Sequence, residues 1–142
     1  MENLQNLDGL QLLVVDDDID SVELIRAIFT SYYNVQVLTA TCSEKAFQLI
    51  TQFKPDILIS DIAMPDEDGY VLMRKIRTHS DEQIRQIPAV ALTALPPEES
   101  YNLAQDAGFT AHMPKPFDTD DLMTTVSNVV QYTRKCSTIS DI

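Results

Sequence analysis

Five short apolar runs alternate along the chain with five stretches whose apolar residues recur at helical spacing. The runs are 11–15, 35–39, 56–60, 88–92 and 110–113. Because they are continuous rather than alternating, they predict parallel strands buried on both faces. Pro55 and Pro88 stand at strand entrances, where a missing N–H does least harm. Between the runs, Val22, Ile25, Ile28, Phe29 and Tyr32, then Ala46, Leu49, Ile50 and Phe53, and finally Leu122, Val126, Val129 and Val130 mark core-facing helical stripes. The third helix is expected over 69–78 and the fourth over 97–107. Thr41 and Glu44 have capping-box spacing, Asp118 is a candidate N-cap, and Gly108 is placed to end the fourth helix. This alternation predicts an α/β fold. Right-handed crossovers put helices on both faces of a parallel sheet, so chemistry is expected at its C-terminal edge.

Size and charge narrow the classes. A chain of 142 residues suits one domain. Its 10 Lys and Arg against 22 Asp and Glu leave a net charge of −12, a field that repels phosphate backbones and anionic lipid. No direct nucleic-acid binding is expected. The N-terminus has no basic leader region, and no apolar run nears the roughly 18 residues of a membrane span, so no membrane insertion and a cytoplasmic location are expected. Cys42 and Cys136 form no CxxC or Cys/His cluster and read as a small residue near a helix start and a tail thiol. The expected organisation is an N-terminal extension over 1–9, a domain over 10–132 and a flexible polar tail over 133–142.

The strand ends carry the candidate chemistry. The first strand runs into Asp16, Asp17 and Asp18, and the third into Asp61. The fourth ends at Thr93 and Ala94, and the fifth is followed by Lys115 and Pro116. Singly, these read as a solvated turn, a loop cap, a strand-end hydroxyl and a surface ammonium. Converging at one sheet edge, they read as a site. Crowded carboxylates repel, couple in their titration, and favour a divalent cation; few, hard oxygen ligands suit Mg²⁺ with water completing its shell. Such an ion opposite an ammonium and a hydroxyl meets the needs of phosphoryl transfer, with a carboxylate as nucleophile.

With LLVVDDD at 12–18, ILISDIAMPDEDGY at 57–70, ALTA at 91–94 and AGFTAHMPKPF at 107–117, the chain resembles the receiver domain of bacterial response regulators over roughly residues 10–130. The resemblance implies a doubly wound, flavodoxin-like five-stranded parallel sheet in order 2-1-3-4-5. It also implies roles. Asp61 would accept a phosphoryl group from the phosphohistidine of a sensor histidine kinase or histidine phosphotransfer protein. Asp17, Asp61 and the backbone carbonyl of Ala63 would hold Mg²⁺, with Asp16 acting through water. Lys115 and the backbone at Ala63 and Ala94 would contact the phosphoryl oxygens, and Thr93 would turn its hydroxyl toward them. Asp18 matches no ligand position and reads as a helix-start charge. The Lys115–Pro116 bond would be cis, aiming the lysine into the pocket. Such a chain is a signalling receiver rather than an enzyme in its own right, acting on a downstream protein target.

At the switch position, where the family often has Tyr or Phe, stands His112, which reads first as an ordinary exposed strand-end histidine and second as a residue able to move between buried and exposed rotamers in a pH-sensitive switch. Signalling would run through the face of the fourth helix, fifth strand and fifth helix, which also offers a homodimer contact. Ala63 and Leu95, two residues beyond Asp61 and Thr93, cannot orient an attacking water, so slow self-dephosphorylation is expected. The kinase-docking surface is expected near Asp20, Ser21 and the loop around Pro116.

Three alternatives are weaker. Asp18, Asp20 and Val22 satisfy the DxDxV pattern of haloacid-dehalogenase-type phosphatases, but Asp18 lies past the strand end and no length remains for a cap. Asp16, Asp18 and Asp20 have EF-hand spacing, yet Ser21 and Ala27 stand where Gly and Glu are needed. A receiver that is never phosphorylated usually lacks the acceptor or the lysine, and both are present. With no DNA-binding helix pair after Val130, a stand-alone regulator or a receiver from a hybrid kinase is expected, Met1 favouring the first.

Overall fold

The structure is a computed structural model that describes residues 7–140, with side chains as far as Thr133. The strands β1 (Gln11–Val15), β2 (Gln36–Ala40), β3 (Ile57–Asp61), β4 (Ala89–Thr93) and β5 (Ala111–Pro114) form one sheet. All neighbours pair in parallel, in the order β2-β1-β3-β4-β5. The α/β class expected from the alternation of strands and helices, and the strand order implied by the resemblance, are those found.

Helices cover both faces. Leu13, Val15, Leu58, Ala89 and Ala91 point to one side, against α2 (Ser43–Phe53), α3 (Gly69–Arg77) and α5 (Pro97–Ala107). Leu12, Val14, Ile57, Ile59, Val90 and Leu92 point to the other, against α1 (Ile19–Tyr32) and α6 (Thr119–Ser140). Strand side chains alternate between two cores, which is why the central strands are apolar up to their C-terminal ends.

Several boundaries differ from the sequence expectation. Every strand after the first begins and ends one residue later than its apolar run, because pairing rather than polarity decides where the ladder stops. Asp61 pairs with Leu92 and Thr93 with Pro114, so both polar residues belong to strands. The short helix α4 (Glu82–Arg85) has too few apolar positions to show a period. Asp81 caps it by accepting the Gln83 N–H at 2.9 Å, and Ile84 is its buried anchor. The expected fourth and fifth helices are therefore α5 and α6. Leu7, before the expected start of the domain at 10, is fully buried, and α6 runs to Ser140, past the expected end at 132. The Cys136 side chain and residues 1–6 lie outside those described.

Caps are partly as expected. Gly108 ends α5 at φ 109°, and Asp118 accepts the Asp121 N–H at 3.2 Å. The Thr41–Glu44 capping box does not form. Cys42 is the N-cap of α2 and makes no side-chain bond there. Asp66, from the loop after β3, accepts the N–H groups of Ser43 and Glu44 instead, each at 3.2 Å.

Candidate functional site

The C-terminal edge of the sheet brings four strand ends together. Asp16 directly follows β1 and is 1% exposed. Its Oδ1 accepts the Asp18 N–H at 2.9 Å, leaving Oδ2 toward the neighbouring strands. Asp61 closes β3 and is also buried, whereas Asp17 is exposed. Each of these three carboxylates offers an oxygen within 4.8 Å of the other two. From the loop after β5, the Lys115 Nζ lies 3.2 Å from Asp61 Oδ1 and 3.3 Å from Asp16 Oδ2. The Lys115–Pro116 peptide is cis.

Burial first, and the Asp16 carboxylate second, push the Asp61 carboxyl above its ordinary range, with Lys115 pulling the other way. Burial alone would lower the Lys115 ammonium, but the charges of Asp61 and Asp16 outweigh it and hold it above its usual value. One ammonium against three carboxylates leaves negative charge in excess. The donor set of hard oxygens beside an open cavity of about 630 Å³ fits Mg²⁺ with waters completing its shell.

That cavity is lined by Asp17, Asp61, Ala63, Thr93, Ala94, Leu95 and Lys115, which the sequence analysis singled out, and also by Ile62 and Asp68. Thr93 is buried, and its Oγ1 accepts the Leu95 N–H at 3.1 Å. Asp18 does not line the cavity. It caps α1 by accepting the Asp20 N–H at 3.0 Å, a helix-start role rather than a nucleophile's. The sequence reading missed Asp68, which lines the cavity and caps α3 by accepting the Val71 N–H at 2.9 Å. The acidic run Asp66-Glu67-Asp68 before the apolar stripe of α3 was the available signal.

His112 stands apart from the carboxylates. Its Nδ1 shares a hydrogen bond with the buried Ser100 Oγ at 3.0 Å, and its ring meets Tyr101 edge-on at 5.9 Å. A small cavity beside it is lined by Leu95, Pro97, Ser100 and Pro114, so Leu95 borders both the site and the histidine. Among the described residues, no helix is long and apolar enough to cross a membrane.

Comparison with known proteins agrees with this geometry. The sequence profile of the response regulator receiver domain matches residues 12–127. An uncharacterized 14.6 kDa protein of Leptolyngbya boryana is 34% identical over 120 residues, which make up 84% of this chain and 89% of that one. The transcriptional regulatory protein KdpE of Staphylococcus aureus is 34% identical over 113 residues, 79% of this chain but 46% of that protein, so the chain spans about half the length of such regulators. Among solved structures, the chemotaxis response regulator CheY4 of Vibrio cholerae superposes with a TM-score of 0.78 at 26% identity, covering 84% of this chain and 98% of its own. The receiver domain of a Pseudomonas aeruginosa sensor histidine kinase, described with a magnesium ion coordinated in its active-site cleft, gives 0.77 at 25% identity, covering 87% and 98%. With the profile spanning four of the five strands in full and the acidic edge intact, the chain belongs to the response regulator receiver domain family of two-component systems.

Proposed function

We propose that the protein is a phosphoacceptor receiver, taking a phosphoryl group onto Asp61 from the phosphohistidine of a sensor histidine kinase or histidine phosphotransfer protein, in the cytoplasm, and signalling through protein contacts. The observation that carries this reading is the Asp16–Asp17–Asp61 cluster with the Lys115 ammonium 3.2 Å from Asp61. Asp17, Asp61 and the Ala63 carbonyl would hold Mg²⁺, with Asp16 acting through water. The ion would neutralise charge on the phosphoryl oxygens.

The chain's own groups supply the rest. An Asp61 carboxylate oxygen forms the new bond to phosphorus while the P–N bond of the phosphohistidine breaks, and the departing imidazole nitrogen keeps the electron pair. Lys115 holds its charge beside Asp61 and shifts to the phosphoryl oxygens as they arrive. Thr93 turns its hydroxyl toward them, and the backbone N–H groups at Ala63 and Ala94 line the same side. A hydrogen bond from Thr93 that exists only in the phosphorylated state biases the face of α5, β5 and α6, with His112 on it, toward a second arrangement. That face is also where a homodimer would form, and the downstream target is a protein.

Acetyl phosphate with Mg²⁺ is expected to add one group of about 80 Da, the mass of a single acyl phosphate, and chelation is expected to abolish it. An unmodified mass after prolonged incubation with both acetyl phosphate and a phosphohistidine donor would overturn the reading. The adduct is expected to decay slowly, because the Ala63 methyl and the Leu95 side chain border the water's path without a group to orient it. Loss of the phospho-form within seconds in Mg²⁺, followed by intact mass, would contradict that.

A further inference from the structure

We propose that Asp66 is a positioning residue for the cation site: by accepting the first two N–H groups of α2, it anchors the 62–68 loop on which the Ala63 carbonyl is carried. The inference rests on the reading above, which makes that carbonyl a ligand, and adds how it is held in place.

Ala63 itself is exposed, two residues past the end of β3, between Ile62 and Met64, whose burial in the core holds the near half of the loop. At its base the loop is closed by the Gly69 N–H donating to the Ile62 carbonyl at 2.8 Å. At its tip, the Asp66 carboxylate uses one oxygen for Ser43 and the other for Glu44, each at 3.2 Å. Next to it, Glu67 Oε1 accepts from the buried Ser43 hydroxyl at 2.9 Å and from Lys75 Nζ at 3.0 Å. The Lys75–Glu67 pair is largely in water and contributes little alone. The contacts to α2 matter more, because Cys42 leaves that helix start without a side-chain cap of its own. The start of α2 thus takes its partners from the loop, and the far half of the loop, at Asp66 and Glu67, is tied to α2. Burial would raise the Asp66 carboxyl, but the N–H groups of Ser43, Glu44 and Glu67 outweigh it and hold it below its ordinary range, as expected of an acceptor with several donors.

Coupling of this kind is reciprocal. Asp66→Ala is expected to weaken Mg²⁺ binding about 10-fold by calorimetry, while the rate of phosphoryl uptake at saturating Mg²⁺ stays within about 2-fold of the parent, both estimated from the usual range of coupling energies. Asp66→Asn keeps one acceptor oxygen where the two N–H groups use two, and is expected to fall between Asp66→Ala and the parent. In the parent, adding Mg²⁺ is expected to slow amide exchange at Ser43 and Glu44, outside the cavity; in Asp66→Ala it is expected not to. Parent-like affinity in Asp66→Ala would overturn the inference. A loss in Glu67→Gln as large as in Asp66→Ala would overturn it too, reducing Asp66 to one more negative charge. Glu67→Gln, which keeps an acceptor for Ser43, serves as the folding control and is expected to match the parent. Failure of the parent to bind Mg²⁺ at all would instead remove the functional reading on which this rests.

Discussion

Asp61→Asn is expected to take up no phosphoryl group and, in the absence of divalent cations, to melt at a higher temperature than the parent protein. The first effect follows from losing the nucleophile. The second follows from the site's electrostatics: burial and Asp16 raise the Asp61 carboxyl above its unfolded value, so at neutral pH the folded state bears the cost of keeping that group ionised. The cost is present above the folded pKa and fades as pH falls toward the unfolded one. A neutral side chain of the same shape removes it, and Lys115 retains Asp16 at 3.3 Å. Mg²⁺ should reverse the ranking. At 100 times its Kd, the ion adds about 2.7 kcal/mol to the parent, roughly 8 °C in Tm for a domain of this size, and much less to the variant. Intact mass with acetyl phosphate and melting with and without Mg²⁺ read both effects. An adduct that survives Asp61→Asn and disappears in Asp18→Asn would move the nucleophile to Asp18. A lower melting point in the cation-free variant would mean that the Lys115 pairing outweighs the burial.

The fold and most of the site were legible in the sequence because both depend on what stands at strand ends. A strand buried on both faces must be apolar throughout, so a polar residue at its C-terminal end marks where the ladder emerges at the sheet edge; Asp16, Asp61 and Thr93 are such residues. What was not legible depends on tertiary partners. Thr41 and Glu44 have capping-box spacing, but a residue more than twenty positions away took the cap, and local spacing carries no trace of that competitor. The short helix α4 rests on Ile84 and a cap from Asp81, too little to set a period. Polarity from Thr133 onward suggested that the last helix had ended, whereas the backbone of α6 continues to Ser140. His112 could be placed at a strand end, but its bond to Ser100 joins β5 to α5 and depends on how that helix packs.

Gly69→Ala is expected to be strongly destabilising for the addition of one methyl group. Gly69 opens α3 with an ordinary helical backbone, where alanine is favoured by about 1 kcal/mol on propensity, so a conformational argument alone predicts stabilisation. Sterics reverse the sign. A Cβ there would lie 2.6 Å from the Asp61 carbonyl oxygen and 3.0 Å from the Ile62 Cα, both backbone atoms that no rotamer change can move aside. Either the β3 end or the helix start must shift, and the Gly69 N–H bond to the Ile62 carbonyl at 2.8 Å opposes their separation. Overpacking of this kind costs about 1–3 kcal/mol or more, and contact with backbone puts it at the upper end, roughly 5–10 °C in Tm after the propensity gain is set against it. Function should suffer beyond stability, because the displaced atoms belong to Asp61, the proposed phosphoacceptor, and to the residue before Ala63. Phosphoryl uptake well below the melting temperature is therefore expected to fall by 10-fold or more, on the order of what small misplacement of reacting groups costs. Gly9→Ala is the contrasting case. Gly9 has a φ of +87° and nothing within 4 Å of an added Cβ, so alanine there bears only left-handed strain, about 1 kcal/mol, and uptake should be unchanged. Equal melting losses in the two variants, with uptake intact in both, would show that the loop after β3 yields to the methyl group and that its close approach to α3 does not set the geometry of Asp61.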